Sequence, residues 1–136
     1  MPPTVDQPAN PPRDSTVLVS RLREVEHLTP EELDRLPFGV IKVDRAGTIL
    51  AYNAAESNLA GRTAAEVLGR NFFVDVAPCT NVPTFADRFR QGIARGGLRD
   101  VFPFTFRFPG GPVVVSVTLL HEAGADCAWI FVERSG

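Results

Sequence analysis

Apolar residues at Leu18, Leu22 and Val25 recur at i, i+4 and i+7, which predicts one helix from Asp14 to Leu28 lying on a larger body. A second helix is predicted from Pro30 to about Leu36. Thr29 precedes a proline at the first helical position and Glu32 follows three residues on, the pattern of a capping box. Pro37 then breaks the pattern. The stretches 38–44 and 48–52 are β-branched and apolar around a turn-like Asp44 to Gly47, so they predict a hairpin. Between Asn53 and Thr80 only short helical pieces are expected, the clearest being the capping box of Thr63 and Glu66 stopped at Gly69. Residues 71–80 have no clean period, contain Pro78 and read as an ordered loop packed by its own phenylalanines. Phe85, Phe89 and Ile93 at four-residue spacing predict an amphipathic helix from Pro83 to Arg95, closed by Gly96 and Gly97.

Beyond that helix the period changes to two. Phe102, Phe104, Phe106 and Phe108 alternate with Pro103, Thr105 and Arg107, placing four rings on one face of a strand. Residues 109–112 turn the chain, and 113–121 and 127–134 make two further strands. The expected fold is α+β: a five-stranded antiparallel sheet with short helices and one longer helix on one face, and an N-terminal helical cap. The expected divisions are a mobile proline-rich lead-in at 1–13, a cap at 14–36 and a core at 37–136. The lead-in has five prolines and almost no large apolar side chains, so burial does not offset its ordering entropy.

Composition narrows the class of function. A chain of 136 residues, 44% hydrophobic, forms one soluble domain with a core of its own, since folding at this size hides about 70% of the unfolded chain's surface. No apolar run is long enough to span a bilayer and no signal peptide is evident, so a cytoplasmic protein without membrane contact is expected. Thirteen arginines and one lysine are scattered along a chain of net charge −2, which argues against nucleic-acid binding. Cys79 and Cys127 lack the spacing of a zinc site or disulfide framework.

Chemistry is concentrated in three features: Cys79 in the irregular loop, Tyr52 with Glu56 at i, i+4, and Arg62. A lone cysteine is most often a small buried hydrophobe, the reading kept for Cys127. The only histidines, His27 and His121, fall at a helix end and a strand end, which leaves a cysteine-histidine hydrolase weakly supported. Tyr52 and Glu56 are either solvated residues at a strand-to-helix junction or an inward pair. On one helical turn, a phenol and a carboxyl can donate to the same acceptor. A buried anion between them would raise the carboxyl pKa beyond the effect of desolvation.

Tyr52 to Glu56 (Tyr-Asn-Ala-Ala-Glu), Gly61 with Arg62, Asn71 to Phe73, and the hexapeptide Asp75 to Thr80 (Asp-Val-Ala-Pro-Cys-Thr) together resemble the photoactive yellow protein family. The resemblance runs from about Leu36 to Arg134. It implies a PAS fold and a bacterial blue-light photoreceptor carrying p-coumaric acid (4-hydroxycinnamic acid) as a thioester on Cys79. It further implies that Tyr52 and Glu56 hold the phenolate oxygen and that Arg62 covers the pocket. Ile41, Phe72, Val76, Ala77, Pro78, Thr80, Phe106, Phe108 and Gly110 would complete the surroundings. Isomerisation would draw the proton of Glu56 and leave a buried carboxylate that drives partial unfolding, without substrate turnover by an enzyme. An unknown downstream signalling protein would receive the signal from a monomer or weak homodimer. Three positions depart from the family pattern: Ala60 stands for a threonine, Gly110 for a methionine beside the chromophore, and Phe108 for a tyrosine.

Three competitors remain. A PAS interaction module without chromophore would not need Cys79, Tyr52 and Glu56 together. A flavin receptor of the same fold carries its cysteine in an asparagine-cysteine-arginine-phenylalanine-leucine segment absent here. A cysteine enzyme lacks its histidine.

Overall fold

The computed structural model describes residues 15–134, with side chains from Ser20 onward. The lead-in at 1–13, read as mobile from its composition, lies outside the described residues. Among those described, five strands form one antiparallel sheet: β1 (Gly39–Asp44), β2 (Ile49–Tyr52), β3 (Leu98–Phe108), β4 (Gly111–His121) and β5 (Cys127–Arg134), in the order β2-β1-β5-β4-β3. Two helices precede the sheet, α1 (Ser15–Val25) and α2 (Pro30–Leu33). Between β2 and β3 lie α3 (Ala54–Ala60), α4 (Ala64–Val67) and α5 (Arg88–Ala94).

The period-2 patterning of the central strands separates two apolar layers. Ile41, Val43, Val115, Val117, Leu119, Ala128, Ile130 and Val132 bury one face against Phe72, Phe73, Phe85 and Phe89. Their neighbours Val40, Leu120, Trp129 and Phe131 bury the other face against Leu22 and Val25 of α1 and Leu33 of α2. The first layer is built from phenylalanines in edge contact. Phe85 lies 5.4, 5.1 and 6.2 Å from Phe102, Phe104 and Phe106, so three of the four alternating rings of β3 converge on one residue.

Local signals held at several caps. Thr29 accepts from Glu32 N while the Glu32 side chain accepts from Thr29 N, and Thr63 and Glu66 repeat the arrangement. Elsewhere the structure differs from the pattern. The second helix ends at Leu33, not near Leu36, and its last carbonyls are taken by the turn bonds of Asp34, Arg35 and Leu36. Residues 72–76, expected as loop, wind into a wide π turn because Asn71 Oδ1 accepts from both Phe73 N and Val74 N. A 3-10 turn follows over Pro78–Thr80. The helix expected from Pro83 is a π turn over Pro83–Asp87 that passes into α5, which keeps Phe85 and Phe89 on the buried side. Strand β3 begins four residues before Phe102, at Leu98, and tolerates Pro103 because it is an edge strand.

Candidate functional site

Strand β2 ends at Tyr52, and the next residue, Asn53, caps α3 by accepting from Glu56 N at 3.1 Å. Tyr52 and Glu56 therefore do not share a helical turn. The phenol comes from the strand and the carboxyl from the third position of the helix, and both reach the same cavity. Helix α3 stops at Gly61, whose φ of 73° is the left-handed conformation that glycine adopts without a Cβ penalty. That reversal brings Arg62 back to the cavity wall.

Cys79 comes to the cavity from a separate stretch of chain. The 3-10 turn that carries it is pinned by Thr80, whose N–H and hydroxyl both donate to Ala77 O, at 2.9 and 2.7 Å. The thiol is half-buried and free. The resulting cavity has a volume of about 260 Å³ and is walled by Tyr52, Glu56, Ala60, Arg62, Phe72, Val76, Ala77, Pro78, Cys79, Phe106, Arg107, Phe108 and Pro109. It lies just below the range of drug-sized pockets, about 300–1,000 Å³, and suits a smaller ligand. Phe106 and Phe108 stack at 5.0 Å with an interplanar angle of 7°, giving the wall a flat aromatic section.

The two donors from the β2–α3 junction are unlike ordinary surface groups. Burial pushes the Glu56 carboxyl up to about 8, so it is protonated through most of the neutral range. No second anion is needed for that shift. The Tyr52 phenol is raised first by burial and then by Glu56, with Arg62 opposing. Among the described residues, Glu56 Oε1 is buried with no hydrogen-bond partner.

Ile41, Thr80 and Gly110 do not line the cavity. Ile41 and Thr80 are fully buried. A Cβ at Gly110 would meet no atom within 4 Å. The positive φ of that hairpin belongs to the next residue, Gly111. Ala60, Arg107 and Pro109 belong to the wall without having been expected there as binding residues. His27 pairs with Glu26 at 3.7 Å, His121 Nδ1 faces Cys127 O at 3.0 Å, and neither lines the cavity. Burial raises the pKa of the Cys127 thiol, in keeping with an inert cysteine.

Asn53 does more than cap α3. Its Oδ1 also accepts from Val40 N at 2.9 Å, and its Nδ2 donates to Leu33 O and Phe38 O at 2.9 and 3.0 Å. One side chain thus ties α2, β1 and α3 together. Sequence reading passed over it. The only local signal was an asparagine three residues before a glutamate at a strand end.

A five-stranded antiparallel sheet in this order, with the cavity between it and the short helices, is the architecture of a PAS sensor domain. The chain matches the PAS fold family over residues 28–127. It is 47% identical over 103 residues to the photoactive yellow protein of Rhodothalassium salexigens, covering 76% of this chain and 82% of that protein. Against the photoactive yellow protein of Halochromatium salexigens the identity is 41% over 108 residues, with 79% and 86% covered. A solved structure, the photoactive yellow protein domain of the sensor histidine kinase Ppr from Rhodospirillum centenum, superposes with a TM-score of 0.79 at 43% identity, covering 82% of this chain and 98% of that one. The chain belongs to the photoactive yellow protein family. Among the described residues no helix is long and apolar enough to cross a membrane.

Proposed function

We propose that the chain is a blue-light receptor that holds p-coumaric acid as a thioester on Cys79. The observation that carries this reading is the meeting, in one cavity, of a free thiol with a phenol and a buried carboxyl whose pKa burial raises. Loading requires an activated acyl donor. Cys79 Sγ forms the new bond to the acyl carbon, the donor's leaving group departs, and the thiol proton leaves with it. Once bound, the group supplies absorption of blue light, a double bond that isomerises and a phenolate oxygen that accepts a proton.

The chain's own residues do the rest. Tyr52 and Glu56 donate hydrogen bonds to the phenolate end, the stacked rings of Phe106 and Phe108 keep the wall apolar, and Arg62 screens it from solvent. Glu56 is the group able to release a proton. Its loss leaves a carboxylate whose Oε1 has no partner. An unpaired buried charge costs several kcal/mol, against a domain stability of roughly 5–15 kcal/mol. Local opening follows, and the element it opens is the small α1–α2 layer, because Asn53 joins α3 directly to the end of α2. The output is a change of surface passed to another protein in the cytoplasm, with no substrate turned over.

The test is intact mass and visible absorption after exposure to an activated ester of p-coumaric acid. Wild type and Cys127→Ala gain one p-coumaroyl group and colour, while Cys79→Ala gains neither. A colourless, unmodified wild type, or a coloured Cys79→Ala, overturns the reading.

A further inference from the structure

Gly39 opens β1 on the sheet face that carries the cavity, paired with Val132. Glycine inside a strand lowers stability, because it costs backbone entropy and packs no side chain. Its usual justification is a positive φ, but Gly39 is not among the glycines with one. Its backbone is open to any residue. What excludes a side chain is Glu56: a Cβ on Gly39 would collide with Glu56 Oε1 and lie 3.3 Å from Glu56 Cβ and Cδ. The same Oε1 is the buried oxygen without a hydrogen-bond partner.

We propose that Gly39 is a positioning residue whose missing side chain is the seat of the Glu56 carboxyl group. The glycine leaves just enough room for Oε1 to lie against strand β1, shielded from solvent and with no donor among the described residues, and so keeps the proton on the carboxyl. The significance for signalling rests on the reading of Glu56 as the proton donor. The seat itself exists without any ligand and is tested in the ligand-free chain.

The first measurement is a double-mutant cycle by urea unfolding. With Glu56 present, Gly39→Ala lowers the urea midpoint, because the carboxyl must be expelled from its seat. In a Glu56→Ala background the same Gly39→Ala raises the midpoint, because at an ordinary φ alanine restricts the unfolded chain more than glycine does. That reversal of sign is the signature. If Gly39→Ala alone does not fold and the double variant does, the same conclusion holds. An effect of equal sign in both backgrounds, or a double variant that also fails to fold while Glu56→Ala folds, means that glycine serves the strand and not the carboxyl.

The second measurement is an infrared titration of the Glu56 carboxyl, its band assigned by its loss in Glu56→Gln. The other titratable or charged residues walling the cavity are Tyr52 of β2, Arg62 after α3, Cys79 of the 3-10 turn and Arg107 of β3. Gly39→Ala swings the carboxyl out of its seat towards the cavity and lowers its midpoint by a unit or more, a tenfold rise in acid dissociation. An unchanged midpoint overturns the inference. Neither measurement needs pigment, so a failure of chromophore loading and a failure of the seat are read from separate experiments.

Discussion

The two faces of the sheet are made from the same strands and do opposite work. On the cavity face, phenylalanines of the 72–76 turn and of β3 interlock around Phe85, and a buried carboxyl, Glu56, is left among the described residues without a partner on one oxygen. On the cap face, three side chains of α1 and α2 rest on Val40, Leu120, Trp129 and Phe131, and ion pairs of α1 with Glu122 and Glu133 close the rim. One face stores an electrostatic cost in a rigid setting. The other is a thin layer whose contacts are few enough to be given up. Asn53 is the group that belongs to both.

The largest expected effect is a test of the stored cost. Glu56 ionises at its ordinary carboxyl value when unfolded but at about 8 when folded. Below the unfolded value it is neutral in both states and carries no penalty. As pH rises towards 8 the unfolded chain alone gives up the proton, so stability falls by about 1.4 kcal/mol per pH unit. Urea unfolding of the ligand-free chain between pH 5 and 8 is expected to carry this slope, and Glu56→Gln is expected to remove it. A variant with the same slope as wild type would place the cost elsewhere.

Next comes the joint between the faces. Asn53→Ala strands the N–H groups of Val40 and Glu56 and the Phe38 carbonyl, and leaves the Leu33 carbonyl with Leu36 N as its one remaining donor. Each buried group left unpaired costs about 1–3 kcal/mol. With some rescue by water near α2, a total loss of roughly 3 kcal/mol is expected. A loss below about 1 kcal/mol, measured by urea unfolding, would mean that the faces are not joined there.

Leu22→Ala separates the faces instead of loosening both. Truncating a buried leucine costs about 2–5 kcal/mol, and the low end applies to a side chain beneath a single surface helix. Amide hydrogen exchange is expected to quicken in α1 while β4 and β5 keep their protection. Uniform acceleration through the sheet would show the cap to be part of one cooperative unit.

How much of this was legible from sequence follows from the range of each interaction. Periodicity found the strands and the cap because alternating residues such as Val115 to Leu120 report their own faces. Residues 52–56 and the hexapeptide around Cys79 marked the cavity through their resemblance to a family pattern, which each segment carries locally in the chain. The seat at Gly39 was invisible, since the fold alone brings it to Glu56. Asn53 was half visible: its capping bond spans three residues, but its bonds to Leu33 and Phe38 cross between elements. The π turns were missed because Pro78 and Pro83 signal only that an α-helix is interrupted. Ile41 and Thr80 were carried over from the family resemblance, but both are fully buried and neither lines the cavity, whereas Phe72 and Val76 do.

The smallest expected effect asks what holds the cap at its rim. Arg21 Nη1 lies 2.8 Å from Glu133 Oε1, but both side chains keep contact with solvent, and pairs of that kind contribute about 0–1 kcal/mol. Arg21 also places its guanidinium 4.5 Å from the centre of the Phe38 ring and 5.9 Å from that of Phe131. A cation over an aromatic face adds about 0.5–1 kcal/mol at such sites, and the stem of the arginine covers apolar surface besides. Glu133→Gln should therefore cost less than about 0.5 kcal/mol, while Arg21→Ala should cost about 1 kcal/mol. Arg21→Lys should fall between them, since the ammonium keeps the charge but not the planar stack. Raising the salt concentration should shrink the Glu133→Gln effect and leave most of the Arg21→Ala effect in place. The reverse ranking, with Glu133→Gln the costlier change and salt abolishing it, would make the rim an electrostatic latch. The cap would then be released by charge rearrangement at its edge, not by loss of the apolar contacts beneath it.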